Sequence, residues 1–251
     1  MTLRTWAAGS LVAAIALPAL ANENPGLVFN GEATAPDSDR VTYHEHHQVA
    51  GACDNGWWQP HRQDVRYQRP DNDRPFATKT LTYEHRLQMP AVDFRQPSFD
   101  EQIRITLEGD TVAIDWSMKG EDGGQWTVNA EPGLVIDAGF DHFIRAHWSE
   151  LTAGEAVGFQ FLAPTRGEAY DFVAEPAANA IGDADHSFRI RPAGLIMRLA
   201  VDPIRLGYRD DGLLTHYQGL GNIRRNRDEN YPVHIRYQAD TMPECSLLPS
   251  S

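Results

Sequence analysis

From residue 41 onward, apolar and polar positions alternate with a period of two, as in strands that bury one face. In 41–49, Val41, Tyr43 and Val49 share a face. Residues 63–68 and 76–87 flank Arg69-Pro70-Asp71-Asn72-Asp73-Arg74. Pro, Asn and Asp favour a turn, so this stretch predicts a hairpin. Leu81, Tyr83, His85 and Leu87 line one face of its second arm. A second hairpin is expected over 103–108 and 111–119, around Gly109-Asp110. There Val112, Ile114, Trp116 and Met118 point together. The stretch 89–100 carries Pro90 and Pro97 and reads as a loop. Further strands are expected over 125–130, 134–137, 156–162, 168–174, 178–181, 187–191, 195–201, 204–209, 213–218 and 233–238. The charged run 224–229 lies in a loop between the last two.

One segment changes period. Phe140, Phe143, Ile144, His147, Trp148 and Leu151 recur at spacings of three and four, which predicts one short helix over about 140–151. Asp137 or Gly139 is placed to cap its start, and Gly154 lies just past its end. About thirteen strands and one helix predict an all-β fold. The expected architecture is a large antiparallel barrel, or a half-barrel of curved, twisted sheet, with the helix covering an open end or one face.

The first residues follow a different logic. Arg4, the apolar stretch from Trp6 to Leu17, and Ala19-Leu20-Ala21 read as a signal peptide over 1–21, cleaved near Ala21. The apolar run is shorter than the about 20 residues a membrane span needs. Residues 22–40, rich in Pro, Gly, Asn and Asp, are expected to be an irregular leader, and 41–251 a single β domain. The expected location is periplasmic or secreted. The formal net charge is -13, and Lys79 and Lys119 are the only lysines. An acidic chain is unsuited to nucleic acid, which needs a basic surface. Cys53 and Cys245 form an even pair; in an oxidising compartment they are expected to bridge.

Three groups of side chains are candidates for chemistry. In His44-Glu45-His46-His47, the period of two puts His44 and His46 on one face. With His85 from a neighbouring strand they could hold Zn²⁺; the alternative is a solvated polar face. The turn into the helix concentrates Asp137, Asp141, His142, Arg145 and His147. A catalytic reading makes Asp137 an orienting carboxylate and His142 or His147 a base. The alternative is a structural plug helix, since neither Gly-x-Ser-x-Gly nor a Cys-His pairing accompanies it. Late in the chain, Arg198, Arg205 and Arg236 alternate with apolar residues. They either face water or line a cavity where they hold a ligand's anionic head, with Trp116 as an aromatic contact.

The chain resembles uncharacterised exported bacterial β-rich proteins, a domain of unknown function. The likeness rests on the signal peptide, Tyr43-His44-Glu45-His46, the Arg-Pro-Asp turn followed by Phe76-Ala77-Thr78-Lys79, the stretch from Asp137 to Arg145, and Tyr217-Gln218-Gly219-Leu220-Gly221-Asn222-Ile223. No activity travels with that resemblance, so it assigns no catalytic residue. At fold level it implies a curved antiparallel sheet of the kind some exported proteins use to bind lipids or lipoproteins. Three functions follow as expectations. The first is periplasmic binding or envelope maintenance with an apolar or lipid-like ligand. The others are a metal-dependent or His/Asp-using hydrolase, and a non-catalytic envelope scaffold.

Overall fold

The computed structural model describes residues 26–84, 86–194 and 202–249. Within them fifteen strands form one sheet. The first part of the chain supplies β1 (Leu27–Thr34), β2 (Val41–Asp54), β3 (Trp57–Arg69), β4 (Asn72–Thr82), β5 (Ala91–Gln96), β6 (Glu101–Glu108), β7 (Thr111–Ser117) and β8 (Gly124–Asn129). The second supplies β9 (Leu134–Val135), β10 (Val157–Ala163), β11 (Glu168–Pro176), β12 (His186–Pro192), β13 (Ile204–Tyr208), β14 (Leu214–Arg224) and β15 (Asn230–Thr241). Helices α1 (Gly139–Ala146) and α2 (Trp148–Thr152) lie between β9 and β10.

Each part is a meander in which consecutive strands lie side by side, antiparallel except for β9 and β10. The sheet runs from β8 back to β1, crosses to β15, and runs on to β9. The antiparallel β1–β15 ladder therefore joins the two meanders at the centre. β9 and β10 pair parallel, because the helical segment between them returns the chain in the same direction. No ladder joins β8 to β9 among the described residues, so the sheet is a curled, unclosed one. Side chains bring its far regions together. Arg224 at the end of β14 contacts Gln96 of β5 and Glu101 of β6. Trp126 of β8 lies so close to Gly167, between β10 and β11, that a Cβ there would fall 2.1 Å from the indole.

The inner face is apolar. One cluster gathers Tyr43, Val65, Tyr67, Leu81, Phe94 and Ile105 from the first meander with Ile223, Val233 and Ile235 from the second. A second forms where Phe143, Ile144 and Leu151 of the helices meet Phe159, Phe188, Leu206 and Tyr208. Each such side chain contributes roughly 1.5–3 kcal/mol relative to exposure, which is what draws the helical stripe onto the sheet. α1 starts against the backbone of Gln88. A Cβ on Gly139 would sit 2.2 Å from the Gln88 carbonyl oxygen, so only glycine fits. A third cluster of Leu27, Val49, Trp58, Leu213 and Leu247 surrounds the expected disulfide, which is present between Cys53 and Cys245.

The architecture is the expected curved all-β one, with five local corrections. The strands number fifteen, not about thirteen. The supposed irregular leader contains β1, whose inward positions are Leu27, Phe29, Gly31 and Ala33. The last two are small because a neighbour fills the space: a Cβ on Gly31 would lie 2.7 Å from the Tyr237 ring. The supposed loop over 89–100 contains β5; Pro90 precedes it and Pro97 opens a 3-10 turn after it, so neither removes a ladder donor. Residues 178–181 are not a strand; the Asn179 and Ala180 carbonyls accept hydrogen bonds from Arg205. The helix breaks at His147, whose N–H is shared between the Phe143 and Ile144 carbonyls. The signal peptide over 1–21 and the strand expected over 195–201 lie outside the described residues.

Candidate functional site

The curled sheet borders a partly open cavity of about 630 Å³ between its inner face and α1. Its lining is mostly apolar, with Val92, Phe94 and Ile105 from the first meander and Phe172, Ile190 and Leu214 from the second. Both the size and the lining suit a small organic ligand. A smaller depression of about 260 Å³ lies elsewhere, among Thr34, Asp37, Ser38, Asp39, His234 and Arg236.

Polar groups enter the cavity at a few points. Glu45 and His47 alternate with the outward His44 and His46, so they share the inner face with Tyr43 and Val49. His47 Nε2 lies 2.9 Å from Glu45 Oε2, and the Tyr237 hydroxyl donates to the same oxygen at 3.0 Å. The Gln63 amide nitrogen donates to His47 Nδ1 at 2.9 Å, and the Tyr83 hydroxyl donates to Gln63 Oε1. With Nδ1 accepting, the imidazole carries its proton on Nε2 and donates it to Glu45. Phe29 stacks on the His47 ring at 4.2 Å. Five side chains from β2, β3, β15 and the end of β4 thus form one buried chain of hydrogen bonds.

The start of α1 supplies a second polar region. Lys79, buried on β4, reaches Asp137 Oδ1 at 2.6 Å. Asp137 holds a left-handed φ of 46° and its carboxylate also accepts the Ala138 N–H. Such a conformation costs a non-glycine residue about 1–3 kcal/mol, and the lysine contact helps hold it. One turn on, Asp141 pairs with Arg145 at 2.7 Å and accepts the Tyr208 hydroxyl at 3.0 Å. Burial raises the Asp141 pKa, against the opposing pull of Arg145. Burial, aided by Arg145, lowers His142 to about 3, so its ring is neutral beside Tyr83. A third polar point is Glu101, which accepts from Arg224 Nε at 2.8 Å and from Trp116 Nε1 at 3.1 Å.

The residues anticipated from the sequence separate by face. Asp137 and His142 line the cavity, but Asp137 bonds to Lys79 and the Ala138 backbone. His147 lies behind, 3.3 Å from Glu150. His44 and His46 are outward, with ring centroids 6.5 Å apart, and His46 bonds to Asn30. His85 and Arg198 lie outside the described residues. Among the described residues, no three His, Cys, Asp or Glu side chains gather as a metal site. Arg205 bonds to Gln218 and to the 179–180 carbonyls, and Arg236 pairs with Glu32 in solvent. Trp116 acts through its indole N–H on Glu101. Sequence reasoning missed Glu45, His47, Gln63, Lys79 and Tyr237. The available signal was Glu45 and His47 at inward positions between Tyr43 and Val49, a polar pair on an otherwise apolar face.

Fold and cavity together define a curled, unclosed β-sheet protein with an internal apolar chamber. No family model matches the chain, and no curated protein does. Among solved structures, it is similar to a β-barrel-like protein of a domain of unknown function, DUF1849, from Brucella abortus. That match has 9% identity and a TM-score of 0.48, covering 86% of this chain and 94% of the other. Among the described residues, no helix is long and apolar enough to cross a membrane. The cystine suggests an extracytoplasmic protein, because such bonds persist in oxidising compartments.

Proposed function

We propose that this is a periplasmic binding protein that holds an apolar or lipid-like small molecule inside its curled sheet. The observation that carries the reading is the mostly apolar cavity of about 630 Å³. The signal-peptide pattern and the Cys53–Cys245 bond support the compartment. Both ring nitrogens of His47 are engaged by neighbours, which favours binding over general-base work at that residue.

Titration with N-phenyl-1-naphthylamine, a neutral apolar dye that brightens on leaving water, tests the reading. The expected result is saturable binding at one site per chain. Leu214→Trp and Val92→Phe, which push bulk into the cavity from opposite meanders, are expected to weaken it by about tenfold or more while leaving the circular dichroism unchanged. Absence of saturable binding, or binding indifferent to both substitutions, overturns the proposal.

A further inference from the structure

With its histidines neutral, the cavity lining carries one surplus negative charge. Its lining includes five carboxylates, Glu45, Glu101, Asp137, Asp141 and Asp202, against four cations, Lys79, Arg145, Arg166 and Arg224. Lys79 neutralises Asp137, Arg145 neutralises Asp141, and Arg224 neutralises Glu101. Arg166 and Asp202 are exposed and of opposite sign. Among the described residues, Glu45 has no arginine or lysine partner; it is met by His47, a cation only when protonated, and by the Tyr237 hydroxyl. His47, whose Nδ1 accepts from Gln63, gives it one N–H, and Tyr237 gives it one O–H, both to Oε2. Oε1 takes no hydrogen bond among the described residues, although the Glu45 side chain is only 5% exposed. A carboxylate set on the wall of a mostly apolar cavity is stabilised when a cation meets its free oxygen.

The surroundings fit a cation. Phe29, Tyr67, Tyr217 and Tyr237 all line the same cavity as Glu45. Phe29 and Tyr237 meet edge to face at 5.7 Å beside His47. Burial, and next the Glu45 charge, raise the hydroxyl pKa of Tyr43, Tyr67, Tyr217 and Tyr237, so all four rings feel this carboxylate. Aromatic faces around an anion are the environment that holds ammonium groups. A fatty-acid carboxylate would meet Glu45 as a like charge.

We infer that the cavity selects an amphiphile whose apolar body ends in an amine or quaternary ammonium, with Glu45 as counter-ion and Phe29, Tyr67, Tyr217 and Tyr237 as the aromatic wall. This assignment rests on the binding reading above. The ammonium lies against Glu45 Oε1, and the hydrocarbon runs along Val92, Phe94 and Ile105.

Three probes with one chain length test it: dodecyltrimethylammonium, dodecanol and dodecanoate, each displacing N-phenyl-1-naphthylamine below micelle-forming concentrations. The ammonium is expected to displace the dye at a concentration about tenfold or more below that of the alcohol, with the carboxylate weakest. Glu45→Gln, which keeps the shape and an acceptor for Tyr237, is expected to remove the ammonium's advantage, so that ammonium and alcohol displace the dye at similar concentrations. Equal displacement by ammonium and alcohol in the unaltered protein overturns the head-group assignment. So does preference for the carboxylate, or an ammonium preference that survives Glu45→Gln. The ranking in the unaltered protein decides the matter even if the variant fails to fold. Binding of dye and alcohol without ammonium preference leaves the apolar-ligand reading standing, whereas failure of dye and all three probes overturns both.

Discussion

Lys79 shows how much a single side chain can determine. It is one of two lysines in the chain, it is buried, and its ammonium compensates Asp137 at the strained start of α1. Lys79→Met is expected to cost about 3 kcal/mol, because it leaves a largely buried carboxylate without its cation. Asp137→Asn keeps an acceptor but leaves the more deeply buried Lys79 ammonium without its counter-ion, so it is expected to destabilise by a similar amount, and urea unfolding of the two variants measures both. His142 makes a second residue-scale prediction, in pH. The folded chain keeps it neutral down to about 3, whereas an unfolded chain protonates it below about 6.5. Between those values the unfolded state binds more protons, so stability falls as pH falls, by at most about 1.4 kcal/mol per pH unit. Urea midpoints between pH 7 and 5 are expected to show that slope, and His142→Leu to reduce it. His234, also lowered by burial, adds a slope of the same sign that the variant keeps.

At the scale of elements, legibility followed side-chain size. Strands β2, β4, β6 and β7 were readable because Tyr43, Leu81, Ile105, Val112 and Ile114 fill their own inward positions. β1 was not, because after Leu27 and Phe29 its inward positions are Gly31 and Ala33, which leave their space to Tyr237 and Ile235, so the alternation is too short to read. The cavity's polar groups were obscured for a related reason. Glu45 and His47 are ordinary surface residues by type, and only the partners Gln63 and Tyr237 on other strands make their burial tolerable. The disulfide was legible by counting, but not what it fastens. It docks the C-terminal segment onto the β2–β3 hairpin, where Trp58 N–H donates to the Ser246 carbonyl at 2.7 Å and Leu247 packs with Trp58 and Val49. Replacing both cysteines by serine is expected to lower unfolding free energy by about 2–5 kcal/mol. Hydrogen exchange at the Trp58 amide is expected to accelerate with it.

For the whole molecule, the question is what keeps an unclosed sheet curled around its cavity. The β1–β15 ladder joins the meanders at the centre of the sheet, and a clasp of side chains joins them again at Arg224. There Gln96 Oε1 accepts the Arg224 N–H at 2.9 Å and Gln96 Nε2 donates to the Arg224 carbonyl at 3.0 Å, a side-chain imitation of one ladder step. Glu101, 3% exposed at its side chain, takes the Arg224 guanidinium at 2.8 Å. Arg224→Met leaves the buried Glu101 without its cation, with only the Trp116 N–H as donor, so it is expected to cost about 3–5 kcal/mol. Arg236→Met, across the exposed pair with Glu32, breaks a bond of the same length and is expected to cost about 1 kcal/mol or less, because water replaces the partner. The comparison separates a clasp from a generic ion pair. If the clasp also gates the cavity, Arg224→Met raises the dissociation rate of bound dye more than its loss of equilibrium affinity accounts for, because both association and dissociation speed up when the seam loosens. Stopped-flow displacement of N-phenyl-1-naphthylamine from the two arginine variants measures this, and equal rates in both place the ligand's route away from the β5–β6 and β14 seam.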